Sequence, residues 1–205
     1  MPNKQLSLIQ MEADKLRRPK DFYETPPGIV RSLIHEINLN GRAVFEPCAG
    51  ELAIARFFPD CLTNDIVAKR PTDLHFDATR EDLWPERRRD WVITNPPFNI
   101  ASKILPIAHE WAYMGVAMLL RLTYLEPTED RGKWLQDREA DLTDLIIFNP
   151  RPKLAANKSG KAGTDSVTLA WMVWRKGAVG RTFVKFDTTW KENNHAFLDF
   201  NNGDD

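Results

Sequence analysis

The chain has 205 residues, with 28 Lys and Arg against 29 Asp and Glu, a net charge of -1. That length suits one domain with its own core, and the near-neutral balance excludes binding to nucleic acid through overall positive charge, leaving local patches to do it. Two cysteines and four histidines in no CxxC, HxH or HExxH spacing exclude a disulfide scaffold or a motif-built metal site.

Residues 1–20 are polar and end in a basic cluster, and the N-terminus holds no apolar run of signal-peptide or membrane-spanning length, so an intracellular, non-membrane protein is expected. Apolar residues at helical spacing, with Pro27 suited to a first turn, predict a helix over 27–37. A short strand over 43–45 leads into the tight loop Glu46-Pro47-Cys48-Ala49-Gly50, and a helix is expected over 51–58. A second strand covers 61–64, with Asp65 at its end, and an irregular stretch runs from 71 to 85. Residues 91–94 form a short apolar strand that stops at Asn95-Pro96-Pro97-Phe98. A helix over 100–113, bent at Pro106, precedes a continuous apolar strand over 116–122, as in a sheet covered on both faces. Residues 128–141 are charged and expected to be helical. Strands follow over 145–148, 167–174 and 183–186, with a basic loop over 150–165. This alternation predicts an α/β fold: a doubly wound, mainly parallel, Rossmann-like sheet.

Ligands of such sheets bind beyond the carboxyl ends of strands. Three polar clusters fall there: 46–50, 64–65 and 95–98. Asp65 follows Glu46 by 19 residues, the spacing at which an acid meets ribose hydroxyls in dinucleotide folds. The loop lacks G-x-G-x-x-G and carries an acid where a pyrophosphate site wants only N–H donors. An acid there suits a cationic ligand, such as the amino group or sulfonium of S-adenosylmethionine, and argues against NAD or ATP.

Asn95-Pro96-Pro97-Phe98 is the most specific feature; by average residue usage such a string arises in well under about one in a hundred chains of this length. Two prolines fix the backbone and remove two donors, so that the carbonyls face a ligand unencumbered. An Asn oxygen and a Pro carbonyl can accept both hydrogens of an exocyclic amine. That draws the nitrogen toward a tetrahedral shape and localises its lone pair, an effect that belongs to the transition state. Phe98 offers a face for stacking a base flipped from a duplex or taken from a single strand.

Phe22-Tyr23-Glu24-Thr25-Pro26-Pro27, the 46–50 loop, Asp65, Asp77 and Asn95-Pro96-Pro97-Phe98 together resemble motifs of class I amino-methyltransferases. Their order resembles the gamma class of DNA adenine-N6 methyltransferases, small phage-type members above all, over roughly residues 20–176. The resemblance implies an antiparallel late strand, S-adenosylmethionine as cofactor, and DNA rather than RNA as partner, in the cytoplasm of a bacterium or phage-infected cell. It implies an arm over 1–20, a catalytic domain over 21–180 and an extension over 181–205.

By resemblance, Tyr23, Thr25 and Pro26 contact the methionine end of the cofactor, and Glu46, Pro47, Cys48, Ala49 and Gly50 wrap it. Asp65, with Ile66 beside it, binds the ribose, and Asp77, with Ala78, the adenine. Asn95 and Pro96 hold the target amine, Pro97 completes the rigid turn, and Phe98 stacks the base. Two departures stand out. Leu52 replaces a usual second glycine, which predicts a narrowed or weakened cofactor site, and no separate target-recognition domain follows the late strand. The basic residues Arg151, Lys153, Lys158 and Lys161 are then candidate phosphate contacts, and Arg87-Arg88-Arg89 is read as a solvated helix end or turn. RNA adenine, a protein glutamine amide, or binding without catalysis are the alternatives. A zinc deaminase is excluded, since Pro47-Cys48 is not followed by the second Cys of a P-C-x-x-C motif and no H-x-E is present.

Overall fold

The computed structural model describes residues 24–129, 131–152 and 167–194. Among the described residues, seven strands make one sheet: β1 (Val44–Glu46), β2 (Leu62–Thr63), β3 (Trp91–Thr94), β4 (Gly115–Arg121), β5 (Leu142–Phe148), β6 (Leu169–Arg175) and β7 (Phe183–Asp187). Their order is β2-β1-β3-β4-β6-β5-β7. All neighbouring pairs are parallel except β4–β6 and β5–β6, so β6 is the one reversed strand. The chain moves outward from β1 in one direction to β2 and in the other to β3. The crevice between the carboxyl ends of β1 and β3 is therefore the switch point where doubly wound sheets bind ligands.

Helices cover both faces. On one lies α1 (Pro27–Glu36); its Ile29, Val30 and Leu33 pack against Val44, Ile93, Leu119 and Trp171. The buried Trp171 indole donates to the Ile29 carbonyl at 2.8 Å, so the polar atom of a core residue also ties helix to sheet. On the other face lie α2 (Ala101–Trp111) and α3 (Gly132–Asp137), against Val92, Val116, Met118 and Trp174. The strands' side chains alternate between these cores, as the period of two demands. Six tryptophans (84, 91, 111, 171, 174 and 190) are buried, so this residue type serves packing here rather than an exposed stacking surface.

The strand expectations hold to within a few residues, and the reversed late strand is present as β6. Two helices differ. The stretch over 51–58 forms turns and a 3-10 segment at Ala55–Phe57 only. Gly50 and Leu52 both take positive φ, 52° and 63°, which a right-handed helix cannot propagate. The 128–141 stretch is helical only at α3 and at the 3-10 turn Glu139–Asp141. Among the described residues, no helix is long and apolar enough to cross a membrane.

β7 and the turn after it complete the sheet's far edge. Trp190 is buried in the α1-side core, and its indole donates to the Pro150 carbonyl at 2.8 Å. A Cβ on Gly28 would lie 1.9 Å from the Trp190 carbonyl oxygen, so the C-terminal turn reaches α1 only because residue 28 has no side chain. Gly28→Ala is expected to cost about 1–3 kcal/mol through this overlap. Urea denaturation measures it, and an unchanged midpoint would contradict the close approach.

Candidate functional site

A cavity opens at the switch point, with about 870 Å³ of empty space including its open mouth. Its floor is the loop after β1. Gly50 turns that loop with positive φ, and its N–H donates to Asp65 Oδ2 at 3.0 Å. Asp65 Oδ1 accepts the Val67 N–H at 2.9 Å, so this buried carboxylate couples the ends of β1 and β2. Asn64, fully buried, ties three segments. Its amide nitrogen donates to the carbonyls of Pro47 and Phe76, at 2.9 and 3.1 Å, and its oxygen accepts the Phe76 N–H at 2.9 Å.

Behind Phe76, the rings of Phe45, Trp84 and Trp111 pack with centroids 5.1 to 5.4 Å apart. They support the segment that carries Asp77 and Ala78, where Asp77 Oδ1 accepts from both the N–H and the hydroxyl of Thr79. On the opposite wall stands the tetrad after β3. Pro97's carbonyl accepts the Ile100 N–H at 3.1 Å, whereas among the described residues nothing donates to the Pro96 carbonyl. Asn95 Nδ2 donates to the buried Thr25 hydroxyl at 3.1 Å. The bond ties the Asn95 amide to Thr25 across the site, with Oδ1 as the edge turned away from the hydroxyl.

The charged groups lining the cavity are acids, two of which, Glu24 and Glu51, pair with Arg56 and Arg70 outside the lining. Glu24, Glu46, Glu51, Asp65 and Asp77 line the cavity, and no Lys, Arg or His is among the described residues that do. Glu46 is 2% exposed. Burial pushes its carboxyl well above the usual carboxylate range, the Ala55 N–H on Oε2 (2.8 Å) opposes that, and the nearby Asp65 charge adds to it. An acid kept in so costly a place is suited to a cationic ligand group.

Nearly all the residues expected at the site from the sequence meet here. Thr25, Glu46 to Gly50, Asp65, Ile66, Asp77, Ala78 and Asn95 to Phe98 all line the cavity. Pro26 does not, and Thr25 contributes as the partner of Asn95. Tyr23, Lys153, Lys158 and Lys161 lie outside the described residues. Arg151 is exposed just past the carboxyl end of β5, on the cavity's side of the sheet, while Arg87 to Arg89 precede β3 at the opposite end. Leu52 does not line the cavity, though Glu51 and Ala53 do: the leucine takes up a glycine-like backbone with its side chain elsewhere. Sequence reading missed the Asn64 clamp and the Thr25–Asn95 bond. A buried polar residue at a strand end was the available signal for the first; the second joins segments 70 residues apart and had none.

No family model and no curated protein matches the chain. Solved structures do. The methyltransferase subunit of a type I restriction-modification system from Streptococcus thermophilus aligns at 15% identity and a TM-score of 0.56, over 83% of this chain and 48% of that one. A Listeria monocytogenes protein assigned to the class I S-adenosylmethionine-dependent methyltransferases aligns at 12% identity and a TM-score of 0.57, over 89% of this chain and 71% of that one. A predicted O-methyltransferase from Agrobacterium tumefaciens aligns at 13% identity and 0.51, over 84% and 98%. The chain thus spans about half the length of the restriction-modification subunit it resembles. The fold is that of the Rossmann-like class I methyltransferases.

Proposed function

We propose that this protein transfers a methyl group from S-adenosylmethionine to the exocyclic N6 amine of adenine in DNA. The observation that carries the reading is the meeting of two sets of groups in one cavity: the acids after β1 and β2, and the Asn95-Pro96-Pro97-Phe98 tetrad after β3. The fold is shared with proteins whose described acceptors differ, so the substrate is argued from these residues and not from the fold.

The cavity fits that cofactor. A buried acid whose ionisation is opposed by burial gains most from a cationic partner, and a lining without basic groups among the described residues disfavours a pyrophosphate. Glu46 and the 46–50 loop would hold its amino-acid end, Asp65 its ribose hydroxyls and Asp77 its adenine. When bound, the cofactor supplies an electrophilic methyl group on a sulfonium.

The remaining work falls to the chain's own residues. Asn95 Oδ1 and the Pro96 carbonyl accept the two hydrogens of the acceptor amine and localise its lone pair. Thr25 holds the Asn95 amide in the orientation this requires. Phe98 supports the ring that carries the amine. These bonds strengthen as positive charge develops on the nitrogen, so they lower the barrier and not merely the ground state. Calorimetric titration with S-adenosylmethionine should show saturable one-to-one binding, and digestion of an adenine-containing oligonucleotide treated with the loaded protein should yield N6-methyladenine. Absence of both would refute the reading.

A further inference from the structure

Phe98 is shared between two concavities of opposite charge. One side belongs to the acidic cavity; the other forms part of a groove with Asn99, Arg121, Thr123, Tyr124 and Arg131. The Arg121 guanidinium lies over the Phe98 ring, 4.9 Å from its centroid, and Arg131 lies over Tyr124 at 5.0 Å. The two arginines differ in how they are held. Arg131 donates to the carbonyls of Glu126 and Thr123, both at 3.1 Å, which braces the turn after β4. Arg121 is exposed at the carboxyl end of β4, and among the described residues no carboxylate pairs with it; Glu126 lines the neighbouring groove without bonding to it.

The guanidinium of Arg121 is solvent-exposed and, among the described residues, rests on the half-buried Phe98 ring by a cation–π contact alone, a weak hold that a better partner can displace. Its planar fork matches a phosphate's oxygens. The ring it covers is the one the proposed mechanism needs for a base. We propose that this groove takes the nucleotide that carries the target amine, with Arg121 moving from the Phe98 face onto the adjoining phosphodiester. The proposal rests on the methyl-transfer reading and deepens it. The acceptor is a polyanionic strand with its base splayed out, not a protein amide, and the change of sign across Phe98 separates the cationic cofactor from the anionic acceptor.

The test uses a fluorescent, adenine-containing single-stranded oligodeoxynucleotide, titrated into the full chain with S-adenosylhomocysteine present, over a range of salt. Arg121→Ala is expected to weaken binding about tenfold and to lower the slope of log affinity against log salt by about 0.7, the share of one phosphate contact on a single strand. Arg121→Lys should keep the slope while recovering only part of the affinity, and cofactor affinity should be the same in all three proteins. Unchanged affinity and slope in Arg121→Ala would overturn the proposal. So would a wild-type protein that binds no oligonucleotide yet methylates a protein amide. If the oligonucleotide binds with the predicted slope change but no methyl transfer occurs, the groove stands and the enzymatic reading falls.

Discussion

Asn95→Ala should lower kcat by about 10²–10³-fold, the usual loss when one directed transition-state hydrogen bond is removed, and should leave the affinity for S-adenosylmethionine within about twofold. The side chain meets the acceptor and not the cofactor in the proposed arrangement, so the loss falls on kcat and far less on KM. Its amide nitrogen is held by Thr25 Oγ1 at 3.1 Å, so the variant frees a hydroxyl without opening the core. Asn95→Asp keeps an acceptor oxygen and can accept from Thr25, and should retain part of the rate. Single-turnover kinetics with saturating cofactor separate the cases. Equal turnover in Asn95→Ala would remove this residue from the chemistry.

The second large effect has opposite signs in stability and binding. In the ligand-free protein, burial first, and then the Asp65 charge, raise the Glu46 carboxyl well above the value of 4.5 expected when unfolded. Over the pH range from that value up to the raised one, the native state holds a proton that the unfolded chain has released. Folding stability therefore falls as pH rises through this window. Glu46→Gln removes the penalty, and the variant should melt at a higher temperature than the wild type at neutral pH. It also removes the charge that faces a cationic cofactor group, so cofactor affinity should drop about 10- to 100-fold, the worth of a charge-assisted hydrogen bond. Wild-type affinity should rise with pH as Glu46 ionises, and the variant should lose that dependence. Calorimetry across pH and thermal melts measure both. A variant that is less stable, or that binds equally well, would contradict the role given to this acid.

These expectations draw on features that differ in how visible they were in the sequence. β3 ends one residue before Asn95, because a continuous apolar run meets two prolines that can neither donate nor propagate a ladder. Such a boundary is local, and so it is legible. The segment after Gly50 was misjudged for a reason equally physical. Ile54, Ala55 and Phe58 are buried, as a helix would bury them, but positive φ at Gly50 and Leu52 sends the chain along turns. Glu46 then captures the Ala55 N–H from nine residues away. Periodicity reports which residues are apolar, not which backbone path buries them.

The site was legible to the extent that its parts are contiguous. Loop 46–50 and tetrad 95–98 are short strings at strand ends, and their meeting follows from the parallel β1–β3 pair. Arg121 was not legible as a partner of Phe98. The two are 23 positions apart on neighbouring strands' ends, and a single arginine after an apolar strand carries no signal by itself. The reversal of charge across Phe98 is likewise a property of the folded surface. The nearly neutral composition conceals it, because acids and arginines cancel in the sum while standing on opposite sides of one ring.

Methyl-labelled S-adenosylmethionine, incubated with the protein and in turn with single-stranded DNA, duplex DNA, RNA and a glutamine-bearing protein, tests the central claim most directly. The label should appear in DNA, and nucleoside digestion should place it on N6 of adenine. Label confined to protein, or absent from every acceptor while the cofactor binds, would contradict the account.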